Sequence, residues 1–261
     1  MIRIMKALIL AGGLGTRLRE ETEFKPKPMV EVGGRPIIWH IMKSFSVQGI
    51  NKFCIATGYK GEMIKDYFLN YYSRNNDVTV NLGNTNDVIQ HGEHGESDWE
   101  VTITNTGEET PTGGRVLKSK SYIGNERFLC TYGDGLSDVD INKLLEFHVS
   151  HGRIATVTTV QPLSRFGVMD FGSDGLVNKF REKPVIEGWI NAGYFIFEPE
   201  VFDFLDTNSI LEQAPLSKLA NQGQLAAYKH PGYWQPMDTY REALQLNELW
   251  NSKKAPWKNW N

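Results

Sequence analysis

The 261-residue chain has only two cysteines, Cys54 and Cys130, each inside an apolar, strand-like run. That scarcity excludes a disulfide framework and a thiolate metal site, and the pair reads as buried thiols in a reducing compartment. No apolar run approaches the 18 or so residues of a membrane span, so no contact with a membrane is expected. Excess positive charge is also missing. A formal net charge of −3 removes the global basic field that nucleic-acid binders carry. Residues 1–10 are too short an apolar stretch, and too soon followed by glycine, to read as a signal peptide, so the cytoplasm is the expected compartment. Internal repeats, low-complexity segments and obvious linkers are absent too, and one domain over residues 1–261 is expected, a size ordinary for an α/β domain.

What is present concentrates near the start. Lys6-Ala7-Leu8-Ile9-Leu10-Ala11 is a short apolar run that reads as a buried strand. It empties into Gly12-Gly13-Leu14-Gly15-Thr16-Arg17, and Lys25-Pro26-Lys27-Pro28-Met29 follows. Glycines let backbone N–H groups approach a ligand with no Cβ in the way. Arg17, Lys25 and Lys27 place positive charge beside them, so the loop suits a polyanion, most of all a nucleoside triphosphate. Two phosphate motifs fail here. Counted from Gly12, the P-loop would need Gly-Lys where Arg17-Leu18 stands. The dinucleotide fingerprint finds Gly13 and Gly15 but meets Leu18 in the third-glycine position, which disfavours a nicotinamide oxidoreductase.

These blocks together resemble the sugar-1-phosphate nucleotidylyltransferase family. Gly33-Gly34-Arg35-Pro36-Ile37, Tyr132-Gly133-Asp134-Gly135, Phe180-Arg181-Glu182-Lys183-Pro184 and Ile190-Asn191-Ala192-Gly193-Tyr194-Phe195 add to the likeness, in the family's order. It spans essentially the whole chain. Thr112-Gly113-Gly114-Arg115 and the ending from His230-Pro231-Gly232-Tyr233-Trp234 to Asp238-Thr239 are most similar to the branch that uses CTP and glucose 1-phosphate. The resemblance implies magnesium-assisted attack by a sugar-phosphate oxygen on the α-phosphorus of CTP, at an early step of dideoxysugar synthesis for surface polysaccharide. It also implies a homo-oligomer, as large as a hexamer. A relative using UTP or dTTP, and a non-catalytic sugar-nucleotide sensor, stay open as alternatives.

Such a reaction joins two anions, so it needs positioning and positive charge rather than a protein nucleophile. The absence of a Ser-His-Asp or Cys-His set agrees with this. Arg17 and Lys27 are the expected catalytic cations, with Lys27 near the α-phosphate and Arg17 on the β/γ end; prolines on both sides of Lys27 restrict its backbone. Leu10 to Thr16, Thr106, Thr112 to Arg115 and Gly133 are expected to meet the nucleotide. Asp134 follows a buried strand between two glycines, the end where open α/β sheets bind ligands. Asp238 opens the last helix, where an acid also suits the helix dipole. The resemblance pairs these two as the Mg²⁺ ligands. It likewise assigns Lys183 to the sugar phosphate, Glu182 to a sugar hydroxyl, and Asn191 and Gly193 to the sugar pocket. Tyr233 and Trp234 read equally as packing on the sugar's apolar face or as core aromatics. The close pairs His91/His94 and His148/His151 have no convincing third ligand and read as ordinary histidines.

Strand-like and helix-like runs alternate over residues 37–135, predicting a Rossmann-like, mostly parallel mixed sheet with helices on both faces and a nucleotide-binding half over residues 1–135. Residues 77–82 read as a third strand, and residues 83–98 as a mobile loop that serves as a lid or a subunit contact. Four strands without long helices between them, within residues 155–197, predict a smaller antiparallel sugar-binding sub-region in the half spanning residues 136–261. Residues 199–205 and 211–221 read as helices, and Thr239 with Glu242 as a capping box opening the last one. The aromatic ending, Pro256-Trp257-Lys258-Asn259-Trp260, is expected to pack on its own domain or on a neighbouring subunit.

Overall fold

In a computed structural model of the chain, residues 5–15, 18–83, 87–164 and 166–260 are described. The chain runs through β1 (Lys6–Ala11), α1 (Arg19–Thr22), β2 (Glu31–Val32), β3 (Arg35–Pro36), α2 (Ile37–Ser46), β4 (Lys52–Thr57), α3 (Gly61–Leu69) and α4 (Tyr71–Asn75). It continues through β5 (Asp77–Val80), β6 (Val88–His91), β7 (Glu100–Asn105), α5 (Thr112–Lys118), α6 (Lys120–Ile123), β8 (Phe128–Tyr132), β9 (Gly135–Ser137) and α7 (Ile141–His151). Then come β10 (Ala155–Val160), β11 (Val168–Phe171), β12 (Val177–Arg181), β13 (Ile190–Phe197), α8 (Ala214–Asn221), β14 (Leu225–Lys229), β15 (Trp234–Pro236) and α9 (Tyr240–Asn251).

Seven strands form one sheet in the order β14-β10-β13-β8-β1-β4-β7. All run the same way except β13, which pairs antiparallel with both β8 and β10. Alternation along β1 explains how this sheet is held. Ala7, Ile9 and Ala11 enter the core beneath α2, α3, α7 and α9, while Leu8 and Leu10 enter the core beneath α5, α6 and α8. The chain leaves β1 toward β4 and β7, then returns to place β8 on β1's other side. The carboxyl ends of β1 and β8 therefore flank the point where strand order reverses, the crevice where ligands bind in such sheets.

The helices start and stop as their sequences dictate. Asp140 caps α7 by accepting from the Lys143 amide at 3.1 Å, and Gly152 ends it at φ 60°. Thr239 and Glu242 complete the expected capping box on α9. Pro199–Phe204 closes as a 3₁₀ helix rather than an α-helix.

Residues 77–98 depart from expectation. Residues 77–82 do not supply the sheet's third parallel strand; β7 does, by pairing with β4. All four residues of Asp77–Val80 are exposed, whereas β7 at the sheet edge is partly buried. Asp77–Val80 instead makes an exposed hairpin with β6, a strand inside the segment read as a loop. That segment's far end is anchored: the Glu96 carboxylate accepts from Lys43 Nζ at 2.8 Å and from the Tyr71 hydroxyl at 3.0 Å. The four strands expected to be antiparallel do pair so, β11 with β12 in a separate small sheet and β10 with β13 inside the central one. The aromatic tail packs on its own chain, with Trp257 fully buried and Trp260 edge-on to Trp39 at 5.8 Å.

Candidate active site

Three side chains from distant parts of the chain meet at the carboxyl end of the sheet. Lys27 Nζ donates to Asp134 Oδ2 and to Asp238 Oδ1, each at 2.6 Å. Local structure explains the convergence. Asp134 stands between β8 and β9, and Asp238 follows β15 closely. β9 and β15 pair antiparallel with Gly135 opposite Pro236, and the Met237 amide donates to the Asp134 carbonyl at 2.9 Å. The two acids are thus brought to the same end of one ribbon. Lys27 reaches them from the 3₁₀ turn Lys27–Met29, which Pro26 precedes with extended backbone and in which Pro28 is buried. Burial alone would lower the Lys27 pKa, but the charges and hydrogen bonds of Asp134 and Asp238 outweigh it and raise it above its ordinary value. The lysine is a fixed cation at neutral pH.

The triad borders a cleft of about 430 Å³ walled by Gly12, Gly13, Gly15, Lys27, Pro28, Gly133 and Asp134 on one side and by Glu108, Thr110, Pro111 and Thr112 on the other. Leu10, Ala11, Tyr132 and Arg115 also line it, whereas Leu14 is half exposed and does not. The glycine loop of the sequence is therefore in the site. Thr16 and Arg17 lie outside the described residues. Lys25 pairs with Glu21 at 3.4 Å.

Arg115 lines the cleft and is also bound tightly into the fold. It is 4 % exposed. Its guanidinium donates to the carbonyls of Thr57, Gly107, Gly12 and Glu108 and to Thr106 Oγ1, at 2.6–3.0 Å. With both terminal nitrogens committed to protein acceptors, it holds the loop in shape, and burial lowers its pKa. Thr106 is equally committed: its buried hydroxyl donates to the Thr57 carbonyl at 2.6 Å while accepting from Arg115. Gly113 and Gly114 face away from the cleft, because a Cβ on either would strike the carbonyl of Ser209 or Thr207. They permit close packing of α5 on residues 207–209. Of this block, Thr112 and Arg115 line the cleft.

The sugar-side residues divide. The Asn191 side chain accepts from the Gly193 amide at 2.7 Å, and Trp234 Nε1 donates to the Ala192 carbonyl at 2.7 Å. This group lies against the site: Gly193, at φ 80°, lets Tyr132 approach so closely that a Cβ would sit 2.3 Å from its ring. Glu182 and Lys183 instead follow β12 on the exposed hairpin, where they face each other at 3.9 Å, and neither walls the cleft. Sequence reasoning missed Tyr132 and Glu212. The Glu212 carboxylate accepts from the Tyr132 hydroxyl and, at 2.6 Å, from Thr112 Oγ1, tying together two residues that line the cleft. Tyr132 could have been flagged by its place directly before Gly133-Asp134; Glu212 carried no signal.

Among the described residues, no cluster of three or more His, Cys, Asp or Glu side chains is arranged to hold a metal ion. The histidine pairs are otherwise engaged: His148 and His151 both bond Thr156 Oγ1, at 2.7 and 2.8 Å. Asp134 and Asp238 offer hard oxygen donors converging on one cationic position. That set fits magnesium, which takes one or two carboxylates and completes its shell with phosphate oxygens and water. No helix among the described residues is long and apolar enough to cross a membrane.

The chain is 50 % identical, over 98 % of its length and all of theirs, to the glucose-1-phosphate cytidylyltransferases of Salmonella typhimurium and Salmonella typhi. Its fold is similar to that of HddC from Yersinia pseudotuberculosis, with a TM-score of 0.68 and 24 % identity over 94 % of this chain and 99 % of that one. Residues 6–247 match the nucleotidyl transferase family, and the chain belongs to it.

Proposed function

We propose that the chain transfers the cytidylyl group of CTP to glucose 1-phosphate, giving CDP-glucose and pyrophosphate. The observation that carries the reaction is the meeting of Lys27, Asp134 and Asp238 beside the glycine loop. The base and sugar follow the relatives that are half identical over their full length.

The sugar-phosphate oxygen is already ionised at neutral pH, so no strong base is required of the protein. The chain's task is to hold two polyanions together and to offset their charge. Backbone N–H groups of residues 12–15 cradle the triphosphate, and Lys27 supplies a positive charge beside the α-phosphate. Asp134 and Asp238 hold Mg²⁺, which when bound neutralises charge on the triphosphate and the departing pyrophosphate. Asn191, Gly193 and Trp234 line the sugar side, and the exposed hairpin carries Glu182 and Lys183 toward the sugar phosphate. The nucleotide half is residues 1–135 and the sugar-phosphate half residues 136–261. A cytoplasmic homo-oligomer completes the reading.

Pyrophosphate release from glucose 1-phosphate, measured with CTP, UTP, dTTP, ATP and GTP in turn, tests it. Release with CTP well above the others is expected. Release with UTP or dTTP far above CTP would keep the reaction and overturn the base, and no release with any of them would overturn the enzyme.

A further inference from the structure

We infer that Lys27 is a placeholder cation: its ammonium holds the position between Asp134 and Asp238 that a divalent ion takes with the nucleotide, and metal and triphosphate together displace it. The inference rests on the metal-assisted reaction proposed above and adds a switch to it.

Lys27 Nζ lies 2.6 Å from an oxygen of each carboxylate. The Lys27 side chain is 10 % exposed and that of Asp238 14 %, so solvent screens this contact poorly. Two carboxylates this close repel unless a cation lies between them. An ammonium has three donors. With two directed at Asp134 and Asp238, only one is left for a phosphate oxygen. A divalent ion on the same two oxygens would meet the ammonium as a like charge at short range. The two cations therefore exclude each other at the carboxylates.

Displacement needs little of the backbone. The turn bearing Lys27 is held by Pro26 and the buried Pro28, so the exchange falls to the four-carbon stem. Lys27 also walls the cleft beside Gly12 and Gly15, where the incoming phosphates are proposed to lie. Phosphate supplies the counter-charge that Lys27 loses when the metal takes its partners. Metal without nucleotide must expel the ammonium into a site with no such compensation. Binding of the two ligands is consequently coupled through one side chain.

Mn²⁺ binding to nucleotide-free protein, followed by the electron paramagnetic resonance signal of the free ion, tests this. Lys27→Met is expected to bind Mn²⁺ about tenfold more tightly than the unmodified chain. Lys27→Arg, which keeps a cation, should stay weak, and adding Asp134→Asn to Lys27→Met should abolish the gain. Equal or weaker binding by Lys27→Met overturns the inference. Should Lys27→Met be unfolded without metal, recovery of its circular dichroism on adding Mn²⁺ supports the placeholder and lack of recovery overturns it. No nucleotide enters the measurement. Failure of pyrophosphate release would overturn the reaction and leave this result standing, whereas unchanged Mn²⁺ affinity beside normal turnover would overturn the placeholder alone.

Discussion

Nη2 of Arg115 donates to the Gly12 carbonyl at 2.9 Å, across 103 residues of sequence. The same guanidinium holds Thr57, Thr106, Gly107 and Glu108, so one side chain sets the glycine loop against the opposite cleft wall. Arg115→Ala removes a charged donor from the Gly107 and Glu108 carbonyls and from Thr106 Oγ1, while the Thr57 and Gly12 carbonyls keep the Thr106 and Tyr59 amides, and it is expected to cost on the order of 3 kcal/mol. Arg115→Lys restores the charge but only three donors, and should fall between. Urea unfolding gives the stability. Nucleotide KM should rise about tenfold if Arg115 acts by placing the loop. Normal stability in Arg115→Ala would refute its role as a strut.

Gly12 and Gly13 are adjacent, yet the fold constrains them differently. A Cβ on Gly12 would lie 2.1 Å from Arg115 Nη1, and the guanidinium is enclosed by carbonyls and cannot retreat. A Cβ on Gly13 would meet nothing within 4 Å. Gly12→Ala should therefore destabilise the fold by about 1–3 kcal/mol. Gly13→Ala should leave the melting temperature unchanged while weakening nucleotide binding, because its added methyl points into open space beside the cleft. Equal melting temperatures for the two variants would contradict this.

Much of the site was legible because its chemistry demands particular residue types in local patterns. A strand emptying into glycines, a lysine between prolines and an aspartate after a buried strand can each be read within a dozen residues. The contacts that join them cannot. Lys27 meets Asp134 107 positions away and Asp238 211 positions away, through a short antiparallel ribbon with no sequence signature. Arg115 is expected at the base and sugar of the nucleotide because the resemblance puts its block there, and only the fold reveals that carbonyls surround its guanidinium. β13 was legible as a strand, but its reversed direction within a parallel sheet depends on where the chain crosses over.

Asp134 and Asp238 keep the fold only indirectly, since each faces Lys27 at the cleft rather than the apolar core. Asp134→Asn and Asp238→Asn should each lower kcat by about 100-fold or more while circular dichroism and melting temperature change little. A variant retaining near-normal turnover would remove that residue from the metal pair. The loss should not be recovered by raising the nucleotide concentration.

Trp257 and His40 give the protein a pH-dependent stability with a definite sign. His40 is fully buried, its Nε2 lies 2.8 Å from the Val32 carbonyl, and Trp257 Nε1 donates to its Nδ1 at 3.4 Å. A carbonyl only accepts and an indole N–H only donates, so the neutral ring with its proton on Nε2 is the form that fits. Burial is the largest reason why the His40 pKa falls to about 4, with Arg35 adding to it against the Val32 bond. Above the unfolded value of about 6.5 both states are neutral and the contribution is whole. As pH falls from there toward 4, the unfolded chain takes up a proton that the folded chain refuses, so stability falls with pH, by on the order of 3 kcal/mol once the folded pKa is passed. His148, also lowered to about 4 chiefly by burial, works in the same direction. In His40→Gln the amide can still give to Val32 and receive from Trp257 but cannot titrate. The slope of unfolding free energy against pH between 6.5 and 4.5 should therefore be shallower in His40→Gln by up to one proton, measured by urea titration. Identical slopes would show that the proton on His40 does not report on the packing of the tail.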